Sequence, residues 1–112
     1  MKTLGLIGGM TWHSTVDYYR LINAGVQARL GGSHSADLLL LSVDFEPVEE
    51  RQGRGDWAGM GRLMAEWAGR LEKAGAEGLV ICTNTMHRLS DEVVRAVRIP
   101  LIHIADAPAA AV

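Results

Sequence analysis

The 112-residue sequence has one cysteine, Cys82, so an internal disulfide framework is excluded and a reducing, cytoplasmic setting is expected. It has no long apolar run. Glycines 5, 8 and 9 interrupt the first hydrophobic stretch, residues 4–10, and no small-residue cleavage pattern follows it. Nothing approaches the roughly 20 apolar residues that a membrane-spanning helix requires, so a membrane is not an expected partner. Charge of one sign is not clustered either. The 11 Lys and Arg residues are scattered among 13 Asp and Glu for a net charge of −2, which leaves nucleic acid without the basic surface that holds phosphates. Repeats, low-complexity tracts and Pro/Gly/Ser linkers are also lacking. With 48% hydrophobic residues, the chain reads as one compact domain with a single core.

Strand and helix patterns alternate along it. Residues 3–7 form a short apolar strand ending at Gly8-Gly9. From Ser14 onward Tyr18, Tyr19, Ile22, Val26 and Leu30 recur at helical spacing, stopped by Gly31-Gly32. Residues 38–43 are a continuous apolar run of strand length, as in a sheet covered on both faces, and a polar loop over residues 44–55 is expected next. Asp56 caps a helix whose apolar face is Met60, Leu63, Met64, Trp67, Leu71 and Ala74, with Gly75 placed to end it. Residues 78–82 form a third strand. Leu89, Val93, Val94 and Val97 mark a third helix closed off by Pro100, and residues 101–104 form a fourth strand. Residues 107–112 resemble the first turn of another helix. The pattern predicts an α/β lobe: a four-stranded parallel sheet with right-handed crossovers and helices on its faces.

Ligands of such sheets bind beyond the carboxyl ends of the strands. Those ends carry Gly8-Gly9-Met10, Asp44-Phe45, Cys82-Thr83-Asn84-Thr85 and residues 103–106. A thiol at a strand end, just before a helix start, lies near the positive end of the helix dipole, which favours thiolate and makes Cys82 a candidate base or nucleophile. Cys82 reads equally as a small buried hydrophobe. The backbone N–H groups and side chains of Thr83, Asn84 and Thr85 can cradle a carboxylate, or simply cap the helix. His87, five residues on, would point away from Cys82 on a helical turn, which favours a supporting role over a Cys–His couple. His103 and Asp106 either face the same crevice or orient the next helix. Arg51 and Gln52 lie in the polar stretch, where a guanidinium can pair bidentately with a carboxylate. Trp57, Met60 and Trp67 read as packing, and Trp12 either lines the crevice mouth or staples the first helix. The spacing Gly-x-x-Gly-Gly matches neither a dinucleotide loop nor a P-loop, and no His/Cys/Asp/Glu set has zinc-site spacing, so neither a nucleotide cofactor nor a metal is expected.

Taken together, Gly8-Gly9-Met10-Thr11-Trp12 with Ser14-Thr15 and Tyr18-Tyr19, then Asp44-Phe45, then Cys82-Thr83-Asn84-Thr85-Met86-His87, then Pro100-Leu101 through His103-Ile104-Ala105-Asp106, resemble the aspartate/glutamate racemase family. The similarity is closest to the aspartate racemase and broad-specificity amino-acid racemase branch and spans essentially the whole chain. It implies two pseudo-symmetric α/β lobes with the active site between them, residues 1–112 being the first. Each lobe gives one cysteine, and the two face the substrate α-carbon from opposite sides without pyridoxal phosphate or metal. On that basis Cys82 is the first lobe's acid/base, Thr83, Asn84 and Thr85 hold the substrate carboxylate and amine, and Met10 and Gln52 contact substrate.

The sequence departs from the family in having no second cysteine, so the isolated chain is not expected to racemise by the two-thiol route. A fragment or truncated product of a complete racemase is the favoured explanation. A homodimer bringing two copies of Cys82 together across a symmetric interface is the alternative route to two thiols, and a homodimer is in any case the expected assembly. The expected partner is a small amino acid. A lobe that only binds a small dicarboxylate or amino acid, and a relative acting on glutamate, hydantoins or maleate, are the competing readings.

Overall fold

The computed structural model describes residues 2–82 and 90–102. In chain order they form β1 (Leu4–Gly8), α1 (Trp12–Leu30), β2 (Leu38–Ser42), α2 (Phe45–Gly53), α3 (Trp57–Ala74), β3 (Gly78–Ile81) and α4 (Ser90–Ala96). The sheet has the order β2-β1-β3, and both pairings are parallel. Leu6 of β1 lies between Leu40 of β2 and Val80 of β3. The earliest strand is therefore central, and the chain crosses over it between β2 and β3.

The expected four-stranded sheet has three strands among the described residues. In place of the fourth strand, Leu101 makes a single parallel bridge to Leu79, through the Leu79 N–H donating to the Pro100 carbonyl at 2.9 Å and the Ile102 N–H donating to the Leu79 carbonyl at 2.7 Å. Proline has no N–H to donate, so the ladder has no donor at position 100, and residues 103 and 104 lie outside the described set.

Alternation along the strands divides the core in two. Ile7, Leu79 and Ile81 face α3, whose Met60, Met64, Trp67 and Leu71 are buried against them. Leu6, Val80 and Cys82 face the other way, under Tyr18 and Ile22 of α1. The expected start and stop of α3 are both present. The Asp56 carboxylate accepts from the Gly59 N–H at 3.0 Å, and Gly75 takes the left-handed conformation at the C-cap (φ 109°).

Residues 44–55, expected as a loop, contain α2. The Asp44 side chain caps it by accepting from the Glu46 N–H at 3.3 Å, Pro47 sits in its first turn, where a missing N–H costs nothing, and Val48 is its buried anchor. α1 starts at Trp12, two residues before the expected Ser14, and its apolar residues are not one face. Tyr18 and Ile22 pack inward, whereas Tyr19 and Leu30 are exposed, because consecutive tyrosines on a helix point roughly 100° apart.

Candidate active site

Three of the four strand ends singled out in the sequence meet at the carboxyl edge of the sheet. The Val43 N–H donates to the Gly8 carbonyl at 2.9 Å, and the Cys82 N–H donates to the Ile7 carbonyl at 2.9 Å. The end of β1 is thus bonded on one side to the segment after β2 and on the other to the segment after β3. The fourth end, residues 103–106, lies outside the described residues, as do Thr83, Asn84, Thr85 and His87.

The turn from β1 into α1 is tight. Gly9 has φ 88°, and a Cβ there would overlap the Val43 carbonyl oxygen, so only glycine fits. The Gly9 N–H donates to Thr15 Oγ1 at 2.9 Å, and Thr15, 6% exposed, is the buried polar side chain among the described residues. The threonine satisfies a donor that the turn strips of its strand partner. Thr11 in the same turn has φ 61°, which a β-branched residue adopts only when its surroundings impose it, at a cost of about 1–3 kcal/mol. Thr11 and Thr15 entered the sequence reading only as members of the motif that carries the family resemblance, and neither was given a role of its own. A β-branched residue carries no signature of a left-handed conformation, and a threonine in a helix is usually unremarkable.

Cys82 is 1% exposed, packed with Leu6 and Val80 beneath α1, where Leu4, Tyr18, Ile22, Leu38 and Ile102 complete the enclosure. The sequence argument expected the helix dipole to favour thiolate. Burial acts in the opposite sense, pushing the thiol from 9.0 up to about 12, because a thiolate would be stripped of water inside an apolar cluster. Tyr18 is raised as well, first by its own burial and then by the charge of Cys82, which places the two acids within electrostatic reach of each other. Burial thus favours the thiol over the thiolate at neutral pH.

Met10 and Gln52 are placed differently from Cys82. Met10 is buried in the cluster on the α3 side of the sheet, so its side chain and that of Cys82 lie in different layers although their strands are neighbours. Gln52 is half-buried in the last turn of α2, the helix that starts directly beyond the carboxyl end of β2. Arg51, beside it, donates to the Pro47 carbonyl at 3.4 Å and lines a depression of about 390 Å³ with Arg54, Asp56 and Arg62. That depression includes neither Cys82 nor Gln52. Trp12, 61% exposed and stacked on His13 with ring centroids 3.8 Å apart, opens α1 at the same edge of the sheet. Among the described residues no group of three or more His, Cys, Asp or Glu converges as metal ligands would, and no helix is long and apolar enough to cross a membrane.

Known proteins share both the sequence pattern and the fold. A solved structure of a Yersinia pestis protein assigned to the Asp/Glu racemases superposes with a TM-score of 0.91 at 54% sequence identity, over 96% of this chain and 46% of that one. An aspartate racemase homologue from Pyrococcus horikoshii OT3 superposes with a TM-score of 0.79 at 33% identity, again over 96% of this chain and 46% of the other. The chain therefore spans about half the length of these neighbours. The model of the Asp/Glu/Hydantoin racemase family matches residues 7–112, nearly the whole sequence, and the chain belongs to that family.

Proposed function

We propose that these residues form the first lobe of an amino-acid racemase that works without pyridoxal phosphate or metal, acting on aspartate or a related small amino acid, with Cys82 as one of two acid/base thiols. The observation that carries this reading is the place of the chain's one cysteine: it directly follows β3 at the carboxyl edge of a parallel sheet, hydrogen-bonded through its backbone to the β1 end that leads into the Gly8-Gly9-Met10 turn.

Racemisation by two thiols needs one of them ionised and the other protonated. The thiolate takes the α-proton, the pair of electrons stays on the α-carbon and its carboxylate, and the opposite thiol returns a proton to the other face. In the resting state burial makes Cys82 the protonated member. Substrate changes this: the α-ammonium cation of a bound amino acid, brought near the sulfur, stabilises the thiolate and lowers the pKa, so that Cys82 becomes a base only when occupied. The second thiol is assigned to the part of a longer polypeptide that corresponds to the other half of the structural neighbours. Thr83, Asn84 and Thr85 are assigned to the substrate carboxylate and amine, with Met10 and Gln52 as further contacts.

The enclosure of Cys82 favours a second reading, a lobe that binds a small amino acid or dicarboxylate without chemistry. Incubating the protein with L-aspartate in D₂O and following the α-proton by NMR separates the two. Loss of the α-proton signal that depends on Cys82 and disappears in Cys82→Ser supports the acid/base role. Aspartate binding without any exchange establishes the binding lobe instead.

A further inference from the structure

We propose that the depression between the end of α2 and the start of α3 is a binding site for the phosphoryl group of a small phosphorylated metabolite, held by Arg51, Arg54 and Arg62. The site is separate from the racemase chemistry and stands whether or not that reading holds.

The first observation is one of position. Arg51 lies in the last turn of α2, Arg54 is the C-cap of that helix, and Arg62 comes from the second turn of α3. Two separate helices therefore bring three guanidinium groups to the wall of one hollow of about 390 Å³. That volume falls at the small end of the roughly 300–1,000 Å³ typical of small-molecule sites.

The second observation concerns the carboxylates. Asp56 and Glu66 also line the hollow, and both are already engaged. The Asp56 side chain accepts from the Gly59 N–H at 3.0 Å, and a Cβ at residue 59 would collide with it, so the carboxylate sits directly against the helix end. Glu66 accepts from Arg70 at 3.1 Å, one turn further along α3 and outside the hollow.

The arginines, by contrast, keep most of their donors. Arg51 donates to the Pro47 carbonyl at 3.4 Å. Arg54 stands 3.7 Å from Glu50 and 4.0 Å from Asp56, ion pairs longer than a hydrogen bond. Arg62 makes no hydrogen bond or ion pair among the described residues. Each guanidinium has five N–H donors in a fixed fork, so the three together leave a surplus that only a ligand or water can use. Like charges gathered on one hollow also repel each other, and a bound anion removes that cost.

Charge and shape favour a phosphoryl group over a carboxylate. With Glu66 neutralised by Arg70, the three arginines outweigh Asp56 by two charges, close to the charge of a phosphate monoester at neutral pH. A phosphoryl group offers three acceptor oxygens, one for each guanidinium, where a carboxylate offers two. The half-buried Leu63 supplies an apolar wall for a small organic body beside it. Occupancy would tie the last turn of α2, which carries Gln52, to α3 across the hollow.

Titration with inorganic phosphate and with propyl phosphate, at constant ionic strength and followed by ¹H–¹⁵N NMR of the backbone amides and arginine Nε–H groups, tests this. The expected result is saturable shifts confined to the Gly55 and Gly59 amides and the three arginines, with a dissociation constant of about 1 mM or below for both probes. Arg54→Gln and Arg62→Gln, both at exposed positions, should each weaken binding about tenfold or more, whereas Arg29→Gln on α1 should leave it unchanged. If one variant fails to fold, the other and the titration of the unaltered protein decide. No saturable shift at about 20 mM phosphate, or the same shifts from chloride alone, would overturn the proposal. Binding that survives both substitutions would overturn it too. Succinate bound as tightly as phosphate would overturn the choice of a phosphoryl group, and a site that takes inorganic phosphate but excludes propyl phosphate would overturn the assignment to a phosphorylated metabolite.

Discussion

At the scale of single residues, Cys82 and Thr15 hold the edge of the sheet where the chemistry is assigned. A thiol with a folded pKa near 12 against 9.0 when unfolded binds its proton more tightly in the native state. Its contribution to stability is therefore complete below about pH 9 and is lost as the pH rises towards 12. Urea unfolding at about pH 9 and about pH 11 should show wild type losing about 1.4 kcal/mol more per pH unit than Cys82→Ala, in which the titrating group is gone. Thr15 is a different kind of support, since its hydroxyl is the acceptor for a buried N–H. Thr15→Val keeps the shape and orphans the Gly9 donor, so it should cost about 1–3 kcal/mol in urea unfolding, whereas Ser14→Ala on the same turn of α1 should cost far less. The position and type of Cys82 were legible from the strand pattern and the residues around it. Its protonation state was not, because the dipole of a following helix can be read from sequence while the apolar enclosure of Leu6, Val80 and Tyr18 depends on residues far apart in the chain.

At the scale of elements, sequence reading succeeded where hydrophobic period and end signals agreed. α3 has both, a buried face at Met60, Met64, Trp67 and Leu71 between an aspartate cap and a glycine stop. Asp56→Ala removes the acceptor for the Gly59 N–H and should destabilise the protein by about 1 kcal/mol, with the unfolding midpoint in urea as the readout. Met64→Ala, emptying a fully buried position on the same helix, should cost about 2–5 kcal/mol by the same assay. α2 escaped notice because one buried residue, Val48, gives no period to detect. Its available signals were the cap at Asp44, the proline in the first turn and Arg51 in the last. The fourth strand was over-read: an apolar run after Pro100 has strand character, but among the described residues only Leu101 completes a bridge.

At the scale of the whole molecule, the parallel order β2-β1-β3 follows from the alternation of strands and helices, and it explains why the strand ends gather on one edge. The two faces are covered unequally. α3 and α4 pack together on one side, while among the described residues α1 covers the other and leaves Leu40 partly bare. That imbalance was not visible in the sequence, since the exposed and the inward residues of α1 are equally apolar. The chain matches 46% of each structural neighbour, so the second thiol belongs, on this account, to the complementary half. The central claim remains with the first thiol: burial holds it protonated, and substrate makes it a base. With a single cysteine in the chain, ¹³Cβ labelling of Cys82 reports its ionisation without ambiguity. The account predicts a thiol that stays protonated past about pH 10 in the free protein and a midpoint lowered by about 2 units or more under saturating aspartate. A thiolate already present at neutral pH in the free protein, or a midpoint that bound aspartate does not move, would contradict it.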